Sequence, residues 1–177
     1  IMSKETTACF TGHRPEKISA SGYPSRTYLN QIKSMLYLEI LEAVRDRGYR
    51  TFISGMARGV DLWACNIVLA LKQDYPDIKL ICALPFSTHG KSWSGIDKYE
   101  LSRYLKHADE IISVSESYHK DCFKKRNYYM VDRSSLLIGI CRDEQSGTGQ
   151  TIRYAKNQGL DTRIIKLPEE NFYDFSE

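Results

Sequence analysis

No apolar run in the 177 residues reaches the roughly 18 to 20 that a spanning helix needs, and the longest are broken by Lys, Arg or Glu, so no membrane partner is expected. No apolar signal segment follows Ile-Met-Ser-Lys-Glu, and Ile1 ahead of Met2 is set aside as an appendage. Organised cysteine is missing too. Cys9, Cys65, Cys82, Cys122 and Cys141 are odd in number, never spaced as CxxC, and several lie in apolar runs such as Leu80-Ile-Cys-Ala-Leu84. They read as small buried hydrophobes, which argues against a disulfide framework and a zinc site and gives a cytoplasmic composition. His13, His89, His107 and His119 lack HExxH or paired spacing, so no metal is expected. Nor is there a large excess of one charge: 25 Lys and Arg against 22 Asp and Glu leave +3, which does not announce a nucleic-acid binder. Internal repeats and low-complexity linkers are absent.

What is present is a globular composition, 42% hydrophobic and 27% charged, at a length suited to one domain. Strands are predicted at 7–11, 51–54, 78–84, 110–114, 136–141 and 163–167, most of them continuously apolar, as strands buried on both faces of a parallel sheet are. Helical patterns fall between them, at 29–47, 60–72, 96–106, 123–132 and 151–158. The alternation predicts an α/β fold, a doubly wound, mainly parallel sheet of about six or seven strands over residues 1–168. Residues 169–177 form an acidic, aromatic tail outside the pattern, read as a frayed end.

In such a sheet, ligands bind beyond the carboxyl ends of the strands. The segments there are polar and several are rich in glycine. Ser54-Gly-Met-Ala-Arg-Gly-Val-Asp61 joins a buried strand to a buried helix; Gly55 and Gly59 would let backbone amides approach an anion, and Arg58 would add a charge-assisted contact. The bland alternative is a tight turn, with Asp61 a first-turn dipole partner. In Thr11-Gly-His-Arg-Pro15, Gly12 permits close approach, Arg14 can clamp phosphate, and His13 either acts as acid or base or orders a long loop. Ser146-Gly-Thr-Gly-Gln-Thr151 opens a helix and fits a second anion-cradling turn through Gly147, Thr148, Gly149 and Thr151. Trp93, in a polar loop, is a candidate for stacking on a base or for packing that loop down, whereas Trp63 reads as core.

Ser54-Gly-Met-Ala-Arg-Gly-Val-Asp61 closely resembles the phosphate-binding turn of the DprA (Smf) proteins, and Cys9-Phe-Thr-Gly-His-Arg-Pro15 is similar to the opening of the YpsA-like family. Both belong to the SLOG superfamily of three-layer Rossmann-like domains, with the LOG and so-called lysine decarboxylase proteins. The resemblance runs from Cys9 to about Leu167 and implies a nucleotide or nucleotide-derived ligand without fixing a reaction. In LOG enzymes the comparable turn is Pro-Gly-Gly-x-Gly-Thr-x-x-Glu, whose glutamate is implicated in N-glycosidic cleavage. Aligning Gly147-Thr148 with that Gly-Thr puts Thr151 at the glutamate position, so the carboxylate is missing; Asp143 and Glu144 read as a solvent-exposed turn. The 124–132 segment resembles the preceding LOG helix, where an Arg and a Met recur, and this makes Arg126 a candidate ligand contact within an otherwise solvated basic face.

These readings order the functions. Binding of a nucleotide or ADP-ribose/NAD-like small molecule, as a sensor or regulator, comes first, through Gly12 to Arg14, Ser54 to Asp61, Arg126 and Gly147 to Thr151. A LOG-type nucleotide hydrolase follows, with His13 and Asp61 as its weak catalytic candidates and the question of catalysis open. Single-strand nucleic-acid binding and a homo-oligomeric scaffold rank lower, and no cofactor is identified. The small net charge conceals an asymmetry: residues 1–168 hold all 25 basic residues and 18 of the acidic ones, a balance of +7. Arg14, Arg58 and Arg126 are expected to converge on one edge.

Overall fold

The computed structural model describes residues 3–170. A 3-10 turn, Lys4–Thr6, leads into β1 (Thr7–Gly12), followed by α1 (Pro15–Ile18), α2 (Arg26–Arg45), β2 (Thr51–Ser54), α3 (Val60–Leu71), β3 (Lys79–Leu84), α4 (Gly95–His107), β4 (Glu110–Ser113), α5 (Cys122–Asp132), β5 (Leu136–Ile140), α6 (Gly147–Asn157) and β6 (Asp161–Ile165). The six strands form one all-parallel sheet in the order β4-β3-β2-β1-β5-β6. This is the doubly wound, Rossmann-like arrangement, and its strand order reverses between β1 and β5.

Successive strand residues point to opposite faces, and the register aligns them across the sheet. Ala8 sits beside Phe52 and Leu136, and Phe10 beside Ile138; these side chains pack under α2, α3 and α4. Cys9 sits between Ile53 and Leu137, and that face is covered by Met130 and Val131 of α5 and Ile152 and Ala155 of α6. Burial on both faces, expected of the apolar strands, holds for β1, β2, β3 and β5 and fails at the two edges, where β4 and β6 are largely exposed or half-exposed. Cys9, Cys65, Cys82 and Cys122 are buried free thiols, and Cys141 is half-buried. Among the described residues, no helix is long and apolar enough to cross a membrane, and no group of His, Cys, Asp and Glu could hold a metal.

Helix starts differ from expectation by more than one residue in three places, one of them α6, which begins at Gly147 instead of residue 151 because Ser146 caps it. The supposed loop after β1 contains α1, begun by Pro15 at its first position, where a missing N–H costs nothing. α2 starts three residues early because Ser25 caps it, its hydroxyl accepting from Tyr28 N at 3.0 Å, and the buried stripe runs from Tyr28 through Ile32, Leu36 and Ile40, with Leu29 half-buried. Ser25→Ala is expected to cost about 1 kcal/mol in urea denaturation. Near the end of the described residues, Tyr28 Oη donates to Pro168 O and Ala20 N to Glu170 Oε2, so residue 168 lies against the first turn of α2 and residue 170 against the α1–α2 connection. Of the tail assigned to 169–177, residues 171–177 lie outside the described residues.

Candidate functional site

At the carboxyl edge of the sheet, where the strand order reverses, two cavities of about 300 and 470 Å³ lie side by side and share Arg14, Ala57 and Phe123. The smaller is formed by the ends of β1 and α1, by Asp61 of α3, by Arg126 and Asn127 of α5, and by Ser146, Gly147 and Thr148 at the start of α6. The larger is walled by Arg58 and by the β3–α4 loop, including Phe86, His89, Lys91 and Trp93. Arg14, Arg58 and Arg126 therefore do line one composite cleft, but in different electrostatic states. Arg58 Nη2 is 2.6 Å from Glu16 Oε1, and its Nη1 is 3.8 Å from Asp97 Oδ2, so its charge is largely spent. Arg126 is buried; its Nη1 donates to Gly55 O and its Nε to Asn127 Oδ1 at 2.8 Å. Arg14 is exposed and forms no ion pair or side-chain hydrogen bond among the described residues.

Several glycines expected to admit a ligand instead admit protein. A Cβ on Gly12 would overlap the Val60 side chain, and one on Gly55 would come within 2.7 Å of the Arg126 guanidinium carbon. Gly59 has φ +90, and a Cβ there would meet His13 O at 2.7 Å. Gly149 packs on the Glu144 backbone, while Gly147 alone in this set is open. Side chains within the 54–61 turn also take up two of its amides. Ser54 Oγ accepts from Met56 N at 3.2 Å and donates to Asp61 O, and Asp61 Oδ2 accepts from Ala57 N at 3.1 Å. The anion cradle expected there is filled at these two amides, and neither Gly59 nor Val60, at the start of α3, lines either cavity. Thr151 is likewise occupied, buried with its hydroxyl donating to Gly147 O at 2.9 Å, so it is a helix-start residue in place of a ligand contact. Asp143 and Glu144 are exposed, as read.

The start of α6 is different. Ser146 caps it by accepting from Gly149 N, which leaves the first-turn amides of Gly147 and Thr148 without helical partners, beside the open face of Gly147 and within the smaller cavity. His13 holds this loop in place. Its Nε2 accepts from Arg142 N at 2.8 Å and from Asp143 N at 3.1 Å, so the ring proton lies on Nδ1, 3.3 Å from Thr148 Oγ1. Burial lowers its pKa. With its lone pair committed to two amides, His13 orders the β5–α6 loop and has no basic nitrogen free for proton abstraction. That removes it as an acid–base candidate.

Asp61 carries the unusual chemistry. It is buried on the floor of the smaller cavity, and burial pushes its carboxyl up to about 6 against the opposing pull of the Arg126 charge and the Ala57 amide. In the other half of the cleft the sequence reading picked out Trp93, Arg14 and Arg58 and missed Phe86, His89 and Phe123. His89 Nε2 donates to Met56 O at 2.8 Å and so braces Met56, a non-glycine residue at φ +62; burial lowers its pKa. Around it, Phe86, Trp93 and Phe123 form edge-to-face contacts, with Trp93 at 5.0 Å and 74° to His89. Phe86, two residues after β3, and Phe123 at the start of α5 are the sequence signals that could have revealed these aromatics. Trp63, read as core, is half-buried against the core with Lys33 over its ring.

A family model described as the YspA SLOG family matches residues 8–167. The SPbeta prophage-derived protein YoqJ of Bacillus subtilis (strain 168) is 34% identical over 155 residues, covering 80% of this chain and 91% of YoqJ. A UPF0398 protein of Bacillus cereus (strain B4264) is 27% identical over 154 residues, covering 84% and 82%. Among solved structures, DNA processing protein A (DprA) of Streptococcus pneumoniae superposes with a TM-score of 0.62 at 19% identity, over 97% of this chain and 52% of that one. DprA of Helicobacter pylori, described for its single-stranded DNA binding mode, gives 0.61 at 19% identity, over 94% and 67%. This chain thus spans about half the length of the pneumococcal DprA, and the likeness is one of fold.

Proposed function

The chain belongs to the YspA SLOG family, and from that starting point we propose that it binds a nucleotide or nucleotide-derived small molecule, of the ADP-ribose or NAD kind, across the two-lobed cleft. The observation that carries this reading is the position of Arg14. It stands on the wall shared by both cavities, unpaired among the described residues, with the free first-turn amides of α6 in one lobe and the Phe86, Trp93 and Phe123 rings in the other. Amides at a helix start and a free guanidinium suit a phosphate; aromatic faces and edges suit a base. As a regulator, the protein would need only this binding, and Thr151 at the LOG glutamate position supplies no carboxylate for N-glycosidic cleavage.

Thermal-shift and calorimetric titration with nucleoside monophosphates, ADP-ribose and NAD tests it, because a ligand of the folded state raises the melting temperature with concentration. Arg14→Ala should weaken the best of these roughly tenfold or more, the scale of a lost charge-assisted hydrogen bond. Arg58→Ala should cost less, since Glu16 and Asp97 already neutralise it. Equal effects, or none at Arg14, would contradict the assignment. The aromatic lobe beside Arg14 and Lys91 also favours a second reading, single-stranded nucleic acid stacking along the cleft. Oligonucleotides binding more tightly than any mononucleotide, with steep salt dependence, would favour it.

A further inference from the structure

Among the described residues, Asp61 Oδ1 is the one buried side-chain nitrogen or oxygen with no hydrogen-bond partner. Buried acceptors are nearly always satisfied, so such an exception in a cleft points to a missing donor. No protein group supplies it in this arrangement. Oδ2 is fixed by Ala57 N; Arg126, whose charge reaches Asp61, spends its Nη1 and Nε on Gly55 O and Asn127 Oδ1 and makes no hydrogen bond to the carboxylate; Ser54 donates to the Asp61 backbone and Thr151 to Gly147 O. The lobe that Asp61 floors also holds the open amides of Gly147 and Thr148, and Arg14.

Resting on the nucleotide reading above, we infer that Asp61 Oδ1 accepts a hydrogen bond from a sugar hydroxyl, so that the cleft takes ribonucleotides with free ribose hydroxyls and discriminates against sugars without them. The sugar is the group joined directly to a nucleotide's phosphate. With the phosphate seated at Arg14 and the start of α6, the sugar is therefore what the same lobe must accommodate, and the base passes beyond Phe123 to the aromatic lobe. A site built around a buried acceptor rejects an analogue that lacks the matching donor, because the acceptor is then left dry and unpaired.

The test is calorimetric titration of the intact protein with each ribonucleoside 5′-monophosphate and its 2′,3′-dideoxy counterpart. The ribonucleotide bound best should lose at least tenfold in affinity when both hydroxyls are removed. In Asp61→Asn the amide oxygen stays on Ala57 N and an NH2 group replaces the acceptor, so the ribose preference should fall below threefold. The wild-type comparison needs no variant to fold. Equal wild-type binding of the two sugars would overturn this inference and leave the nucleotide reading standing. A preference kept in full by Asp61→Asn would place the hydroxyl contact elsewhere and overturn the role of Asp61. Binding of none of these nucleotides, nor of ADP-ribose or NAD, would overturn both readings together.

Discussion

A methyl group added at Gly12 is expected to destabilise the fold by about 3 kcal/mol, the upper end of the usual cost of overpacking. The added Cβ would fall 2.5 Å from Val60 Cβ and 2.8 Å from its Cγ1. Neither side can easily retreat. Gly12 is tied into the sheet opposite Ile140, and Val60 is fully buried in the first turn of α3 with a stiff, β-branched side chain. Urea denaturation of Gly12→Ala, Val60→Ala and the double variant measures this. Val60→Ala alone should cost about 1 to 2 kcal/mol as a large-to-small change, and the double variant should be more stable than the sum by about 1 kcal/mol, since trimming the γ-carbons relieves part of the overlap. Strictly additive costs would show that the two residues do not press on one another. A Gly12→Ala protein of unchanged stability that loses nucleotide binding would restore the reading of Gly12 as a door for the ligand.

That contrast marks the boundary of what was legible in the sequence. The layered α/β fold was readable because its signals are local: continuously apolar β1, β2, β3 and β5, and the i, i+4 stripe of Ile32, Leu36 and Ile40. Pro15 followed by Glu16 is a legible helix start, and α1 was passed over because four residues make no periodicity. The loops that build the cleft were readable from strand ends, but the duties inside them were not, because each depends on a partner remote in sequence. Arg58 is neutralised by Glu16, 42 residues away, and His13 spends its lone pair on amides 129 and 130 residues away. Gly12 and Gly59 look like ligand-approach glycines in isolation; only Val60 and the 13–15 backbone show what fills the space. The aromatic lobe joins Phe86 and Trp93 of the β3–α4 loop to Phe123 of α5, a contact between segments remote in sequence that neither segment announces by itself.

Asp61→Asn should make the protein more stable at neutral pH while impairing its sugar preference, and the two effects together have a defined pH signature. The Asp61 carboxyl stands at about 6 in the folded chain against 3.8 as an ordinary carboxyl, so below pH 4 it is protonated in folded and unfolded chains alike and contributes no penalty. Between pH 4 and 6 the unfolded chain releases this proton and the folded chain retains it. Stability therefore falls through that window as pH rises, by about 3 kcal/mol, and stays lower above it. The Arg126 charge already opposes the shift, so the penalty is what remains after that compensation. In Asp61→Asn the Ala57 amide keeps an acceptor and nothing ionises. Its stability, measured by urea denaturation from pH 4 to 7, should lack the decline, so that the gap over wild type opens between pH 4 and 6 and reaches about 3 kcal/mol at pH 7. His13 and His89, both shifted downward by burial, titrate in both proteins and cancel in the difference. Parallel curves would mean that the carboxyl is solvated and carries no strain. A gap that opens as described, in a variant that has also lost its ribose preference, would identify Asp61 as a residue held at a cost to stability because the ligand needs its charge.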